Sequence, residues 1–169
     1  MAEGDSTVIG TAAEGVTIER GFDAPRELVW RAWTEPEHFM RWYGPEGMSA
    51  HTCEFDLQVG GQRRIGMRSP DGGEYYTSGV YREIVPLERF VATEAPADAE
   101  GNAVPASAMG MPEGTPMETI VSVTLEDLDG GKTKMTMNQV GFPSEDWAAG
   151  AGAGWNQAFD KLVGALRAS

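Results

Sequence analysis

The chain holds one cysteine, Cys53, and two histidines, His38 and His51, among its 169 residues. A lone cysteine excludes an intrachain disulfide and is too few for a cysteine-based zinc site. Basic residues are also scarce. Lys and Arg number 13 against 26 Asp and Glu, for a formal net charge of -13 at pH 7. Such a field repels phosphate backbones and anionic lipid, so neither nucleic acid nor a membrane is an expected partner. No run of eighteen apolar residues occurs, and the opening MAEGDSTVIGTAAEG lacks the basic and apolar segments of a secretory signal. A cytoplasmic location is the expectation. Absent too are G-x-S-x-G, H-E-x-x-H and a paired catalytic Cys and His, and GAGAG at 150–154 lacks the spacing and the preceding strand of a nucleotide loop.

What is there belongs to a folded protein: 41% hydrophobic residues, with five Trp, six Phe and four Tyr. The length suits one core, so residues 15–169 read as a single domain behind a flexible leader, 1–14. GVTIERGF (15–22) reads as the first strand. DAPRELVWRAW then reads as a helix capped by Asp23, with Pro25 in its first turn and Leu28, Val29, Ala32 and Trp33 at helical spacing. Pro36 ends that helix and opens a second short one, PEHFMRWY. From residue 48 the period becomes two: His51, Cys53, Phe55, Leu57 and Val59 alternate with polar residues up to the glycines at 60 and 61. QRRIGMRS, EYYTSGVYREIV and ERFVATE continue as three more strands with hairpin connections.

Residues 96–116, with four prolines and three glycines, read as a long mobile loop and the expected gate of any cavity. Met117, Thr119, Val121, Val123 and Leu125 share one face of the next strand, and Met135 and Met137 lie on its hairpin partner. Ser144 then caps a long C-terminal helix, with Glu145 and Asp146 in its first turn. On a helical wheel Ala151, Trp155, Phe159, Leu162 and Leu166 share one face, Asn156, Asp160 and Arg167 the opposite side, and Gly150, Gly154 and Ala158 form a bare flank beside the apolar face. Each helical glycine costs roughly 1 kcal/mol relative to alanine. The glycines therefore either admit a close backbone or leave room for a guest.

About seven antiparallel strands and one amphipathic C-terminal helix make an α+β fold in which the sheet curls around the helix. FDAPRELVWRAWTEPEHFMRWYGP, CEFDLQVGG, SGVYREIVPLERFVATE, GGKTKMTM and GWNQAFDKLVGAL, in that order, resemble the bacterial relatives of the activator of heat-shock protein 90 ATPase, within the START-like (SRPBCC) superfamily. The resemblance runs from about residue 16 to 166. It implies a helix-grip fold, with a curved sheet wrapped on the last helix and an internal cavity closed by the two small helices. It implies no shared catalytic set, and it makes a chaperone a candidate partner.

Cavities for small molecules are apolar with a few polar handles. The candidate lining is Trp33, Phe39 and Trp42 from the small helices, Phe55, Met67, Tyr81, Val121, Met135 and Met137 from strands, and Trp147, Ala151, Trp155 and Phe159 from the last helix. The plain alternative for each is ordinary core packing. Tyr81 is preferred over its neighbours because Gly79, on the same face, suggests close approach to the helix backbone. His51 and Cys53, two apart, share a strand face but lack further His or Cys, so no metal is expected. Glu83, Asp56, Arg63 and Arg64 are the polar residues nearest the interior or rim, Asp56 and Arg64 falling on the outer face by alternation. The leading expectation is a protein without a cofactor or assigned catalytic residue that binds a small hydrophobic or aromatic ligand. The alternatives are an enzyme of cyclase, dehydratase or hydrolase type, favoured by a buried Glu83, and a chaperone-interaction module.

Overall fold

A computed structural model describes residues 6–12, 15–110, 112–115 and 117–168. Its strands are β1 (Ser6–Ala12), β2 (Gly15–Phe22), β3 (Ser49–Phe55), β4 (Gln62–Arg68), β5 (Glu74–Val85), β6 (Arg89–Ala97), β7 (Thr119–Leu128) and β8 (Lys132–Val140). Helices α1 (Arg26–Thr34) and α2 (Pro36–Phe39) follow β2, and α3 (Glu145–Arg167) ends the fold. The strands form one antiparallel sheet in the order β1-β2-β8-β7-β6-β5-β4-β3, curled around α3. Seven of its strands are those the sequence predicts.

The eighth strand is β1, which pairs along β2 from Ser6 opposite Arg20 to Ala12 opposite Gly15. It lies within the segment read as a flexible leader. A short run with valine, isoleucine and threonine needs only an open edge to pair with, and β2 supplies one.

Local boundaries also differ, and the second short helix, read as PEHFMRWY, ends at Phe39. α1 begins after Pro25, which occupies the cap position with no side-chain hydrogen bond, so Asp23 does not cap it. β3 stops at Phe55, and Leu57 and Val59 are 39% and 67% exposed. The chain turns there: Gly60 adopts φ +86°, and its N–H donates to the Tyr81 carbonyl. That conformation costs glycine nothing and other residues dearly, so the alternation of 57 and 59 no longer reports on a sheet face.

Between α3 and the sheet, α1 and α2 deliver an aromatic cluster. Trp33 is fully buried, with its ring centroid 4.8 Å from Trp42, 5.7 Å from Phe90, 5.6 Å from Trp155 and 6.1 Å from Phe159. Edge-to-face pairs, as Trp33 makes with Trp42, Phe90 and Phe159, each add about 0.5–1.5 kcal/mol beyond their area. Trp42 donates its indole N–H to the Ala32 carbonyl at 3.0 Å, which ties α2 and the residues after it back onto α1. This plug packs beneath the middle of α3, with Trp33 against both Trp155 and Phe159.

Candidate functional site

α3 starts as its sequence predicts: the Ser144 side chain accepts the N–H of Trp147, and Glu145 and Asp146 occupy the first turn. From there Trp147, Gly150, Ala151, Gly154, Trp155 and Ala158 form one wall of a cavity of about 620 Å³. Tyr43, Gly44 and Pro45, just beyond α2, form a second wall, Met67, Thr77, Glu94 and Gln139 supply the sheet side, and Phe142, past the end of β8, adds to it. The volume is that of a site for a drug-sized ligand.

The bare flank has two functions. A Cβ at Gly150 would meet nothing within 4 Å, so that glycine leaves volume to the cavity, whereas one at Gly154 would come within 3.3 Å of Pro45 Cγ, so that glycine admits the close approach of Pro45. Gly152 points the other way, where a Cβ would lie 3.2 Å from Val16 Cγ2 on β2. That glycine admits close packing of helix on sheet.

Of the predicted lining residues, the structure brings Met67, Trp147, Ala151 and Trp155 to the cavity. Trp33, Phe39, Trp42, Tyr81, Val121, Met135, Met137 and Phe159 are at most 1% exposed and pack in the core instead. Phe55 is half-buried and packs edge-on against Phe39, with ring centroids 5.0 Å apart. None of the described residues in 96–116 lines the cavity.

The polar residues on the cavity floor are set by strand alternation. Phe90, Ala92 and Glu94 share the inward face of β6, and Glu94 is 8% exposed. On β4, Arg63 faces inward with Ile65, its guanidinium carbon 5.5 Å from the ring centre of Phe39, 5.4 Å from Phe55 and 5.9 Å from Phe90. Its Nη1 lies 3.7 Å from Glu94 Oε2, while the Tyr43 hydroxyl donates to Glu94 Oε1 at 3.2 Å. Burial, reinforced by the Glu94 charge, pushes the Tyr43 phenol well above its ordinary range. Gln139 is fully engaged, accepting from the Trp155 indole at 2.7 Å and donating to Thr119 Oγ1 at 2.9 Å. Glu94 and Gln139 are polar lining residues that the sequence reading missed; for Glu94 the period-two relation to Phe90 and Ala92 was the available signal.

The other polar candidates lie elsewhere. Glu83 is 49% exposed at its side chain and pairs with Arg89 at 3.3 Å, and Arg64 pairs with Glu54 at 3.4 Å. Asp56 is exposed at the β3 turn. His51 and Cys53 do not share a face. A register shift between Ala50 and Thr52 turns His51 outward, edge-on against Tyr76, while Cys53 sits beside the buried Ile65. Burial pushes the Cys53 thiol up to about 12, against the opposing effect of Arg63. No group of three His, Cys, Asp or Glu side chains converges among the described residues. Gly79 does not approach the helix: a Cβ there would collide with the Thr93 carbonyl on β6, where Thr93 Oγ1 also takes the Val80 N–H.

Residues 23–167 match the pattern of the family described as Activator of Hsp90 ATPase homolog 1-like protein. The chain belongs to that family. Its members adopt this helix-grip arrangement. A protein from Arthrobacter aurescens, solved by solution NMR, is 26% identical with a TM-score of 0.78, covering 96% of this chain and 94% of its own. A crystal structure from Chromobacterium violaceum is 27% identical with a TM-score of 0.75, covering 90% and 96%. One from Nitrosomonas europaea is 25% identical with a TM-score of 0.74, covering 92% and 95%. No curated protein matches the chain. Among the described residues, no helix is long and apolar enough to cross a membrane.

Proposed function

We propose that this member of the family binds a small hydrophobic or aromatic molecule in the cavity beneath the first half of α3. One observation carries the reading. α3 keeps glycine at position 150, at a cost of roughly 1 kcal/mol, although nothing stands within 4 Å of a Cβ there. The missing side chain serves volume rather than close packing at that position, and the volume is walled by Trp147, Trp155, Phe142 and Met67.

The test uses N-phenyl-1-naphthylamine, a neutral probe whose emission rises in apolar surroundings. Emission should rise on adding protein and saturate at one site, and Gly150→Leu, whose side chain enters the open volume, should abolish the rise without lowering the melting temperature. Absence of saturable binding to the unaltered protein would overturn the reading.

A catalytic reading has one observation in its favour: Glu94 is a buried carboxylate bordering the cavity, with Arg63 beside it. The exposed Glu83 gives it no support. The chaperone reading rests on the family's description.

A further inference from the structure

The polar atoms on the cavity floor are unequally used. Gln139 spends both ends of its amide on Trp155 and Thr119. Glu94 Oε1 accepts from Tyr43, but Oε2 accepts no hydrogen bond: Arg63 Nη1 stands 3.7 Å away, beyond hydrogen-bonding reach. Thr77 Oγ1 is also buried without a partner. Thr77 on β5 pairs with Pro96, two residues along β6 from Glu94, so the two side chains are diagonal neighbours on one sheet face. Two buried polar groups on one sheet face, both on residues that line the cavity and both lacking a partner, are the arrangement a ligand's polar end would complete.

The charges around this pair select the kind of polar end. Among the described residues no Lys or Arg lines the cavity, and its two carboxylates are those of the buried Glu94 and the exposed Asp146. A ligand carboxylate would meet Glu94 Oε2 head-on, and the one neighbouring cation among the described residues, Arg63, does not line the cavity and is already paired with Glu94. An ammonium would be drawn to Glu94, but Arg63, 2% exposed and 3.7 Å from Oε2, already balances that charge. A buried ion added to a balanced pair keeps its full desolvation cost. A neutral hydroxyl has neither difficulty, because it donates to the carboxylate and accepts from Thr77.

Resting on the cavity reading above, we infer that the site takes an apolar, ring-sized alcohol or phenol, its hydroxyl seated between Glu94 Oε2 and Thr77 Oγ1 and its body against Trp147 and Trp155. This is a discrimination between head groups and not a statement of overall affinity.

Isothermal titration calorimetry with four probes of one ring size tests it: naphthalene, 2-naphthol, 2-naphthoate and 1-(aminomethyl)naphthalene, the last cationic at pH 7. 2-Naphthol should bind at least about tenfold more tightly than naphthalene, as one good hydrogen bond to a charged acceptor permits. The naphthoate and the ammonium should both bind more weakly than the naphthol. Thr77→Val and Glu94→Gln should each pull the naphthol-to-naphthalene ratio toward one. If Glu94→Gln unfolds for want of Arg63's counter-ion, the paired Arg63→Met/Glu94→Gln variant makes the same comparison. Equal binding of naphthol and naphthalene overturns the inference and leaves the cavity reading standing. Tightest binding of the naphthoate or the ammonium, or a naphthol preference that survives both substitutions, also overturns it. Failure of all four probes overturns the cavity reading itself.

Discussion

The indole N–H of Trp155 on α3 donates to Oε1 of Gln139 on β8 at 2.7 Å, and the chain of hydrogen bonds continues through Thr119 to the main-chain carbonyl of Glu94. The helix wall of the cavity is thereby linked to its floor by side chains that are all buried.

Trp155 therefore has two separable roles, packing against Trp33 and Phe159 and satisfying Gln139. Trp155→Phe keeps a ring but strands a buried amide oxygen, and should cost about 1–3 kcal/mol. Trp155→Ala removes the ring as well and should cost about 3–5 kcal/mol. Urea denaturation of the two variants separates the terms, and equal losses would mean that the hydrogen bond outweighs the packing.

The helical glycines should respond to alanine according to their surroundings. Gly150 and Gly164 have open space where a Cβ would go, so Gly150→Ala and Gly164→Ala should each raise stability by about 0.5–1 kcal/mol. Gly152→Ala brings a Cβ to 3.2 Å from Val16 and should gain less or lose outright. Melting temperatures decide this. Only Gly150→Ala should also change probe binding, because neither Gly152 nor Gly164 borders the cavity.

Alkaline pH should weaken the fold through groups that must stay neutral inside it. The Cys53 thiol is raised from 9.0 to about 12, and the Tyr43 and Tyr81 phenols are raised above 10.0, chiefly by burial. A group whose folded pKa is raised contributes stability that is complete below its unfolded pKa and is lost as pH climbs to the folded value. For Cys53 the window is about pH 9 to 12. Its share of the slope is at most about 1.4 kcal/mol per pH unit, the value for one proton. Denaturation midpoints from pH 7 to 11 should be level at first and then fall, less steeply in Cys53→Ala. A thiol reagent at pH 8 should react slowly with the native protein and quickly after unfolding.

Much of the architecture was legible in the sequence because period and punctuation agree along most of the chain. Ile18, Val121, Met135 and Met137 alternate as strands require and are buried, and Ser144 signals the start of α3. The cavity was only partly legible. Alternation says that Tyr81 and Met67 both point inward, but not that Met67 has empty space beside it while Tyr81 is packed against Phe90. Which inward residues face a void depends on where α1 and α2 place Trp33 and Trp42, a tertiary fact with no periodic signature. His51 went astray for a different reason: one extra residue in β3 reverses the face of everything before it, and nothing in the local composition marks the insertion.

Both outermost strands carry such irregularities, β1 between Val8 and Gly10 and β3 between Ala50 and Thr52. An open half-barrel ends in two rows of unsatisfied main-chain donors and acceptors, each a template for another chain to extend. A break in register twists the edge and spoils the match with a straight incoming strand. The sheet can thus stay open around α3, where a closed barrel would have no room for it, without inviting its neighbours in solution to stack end over end into fibres.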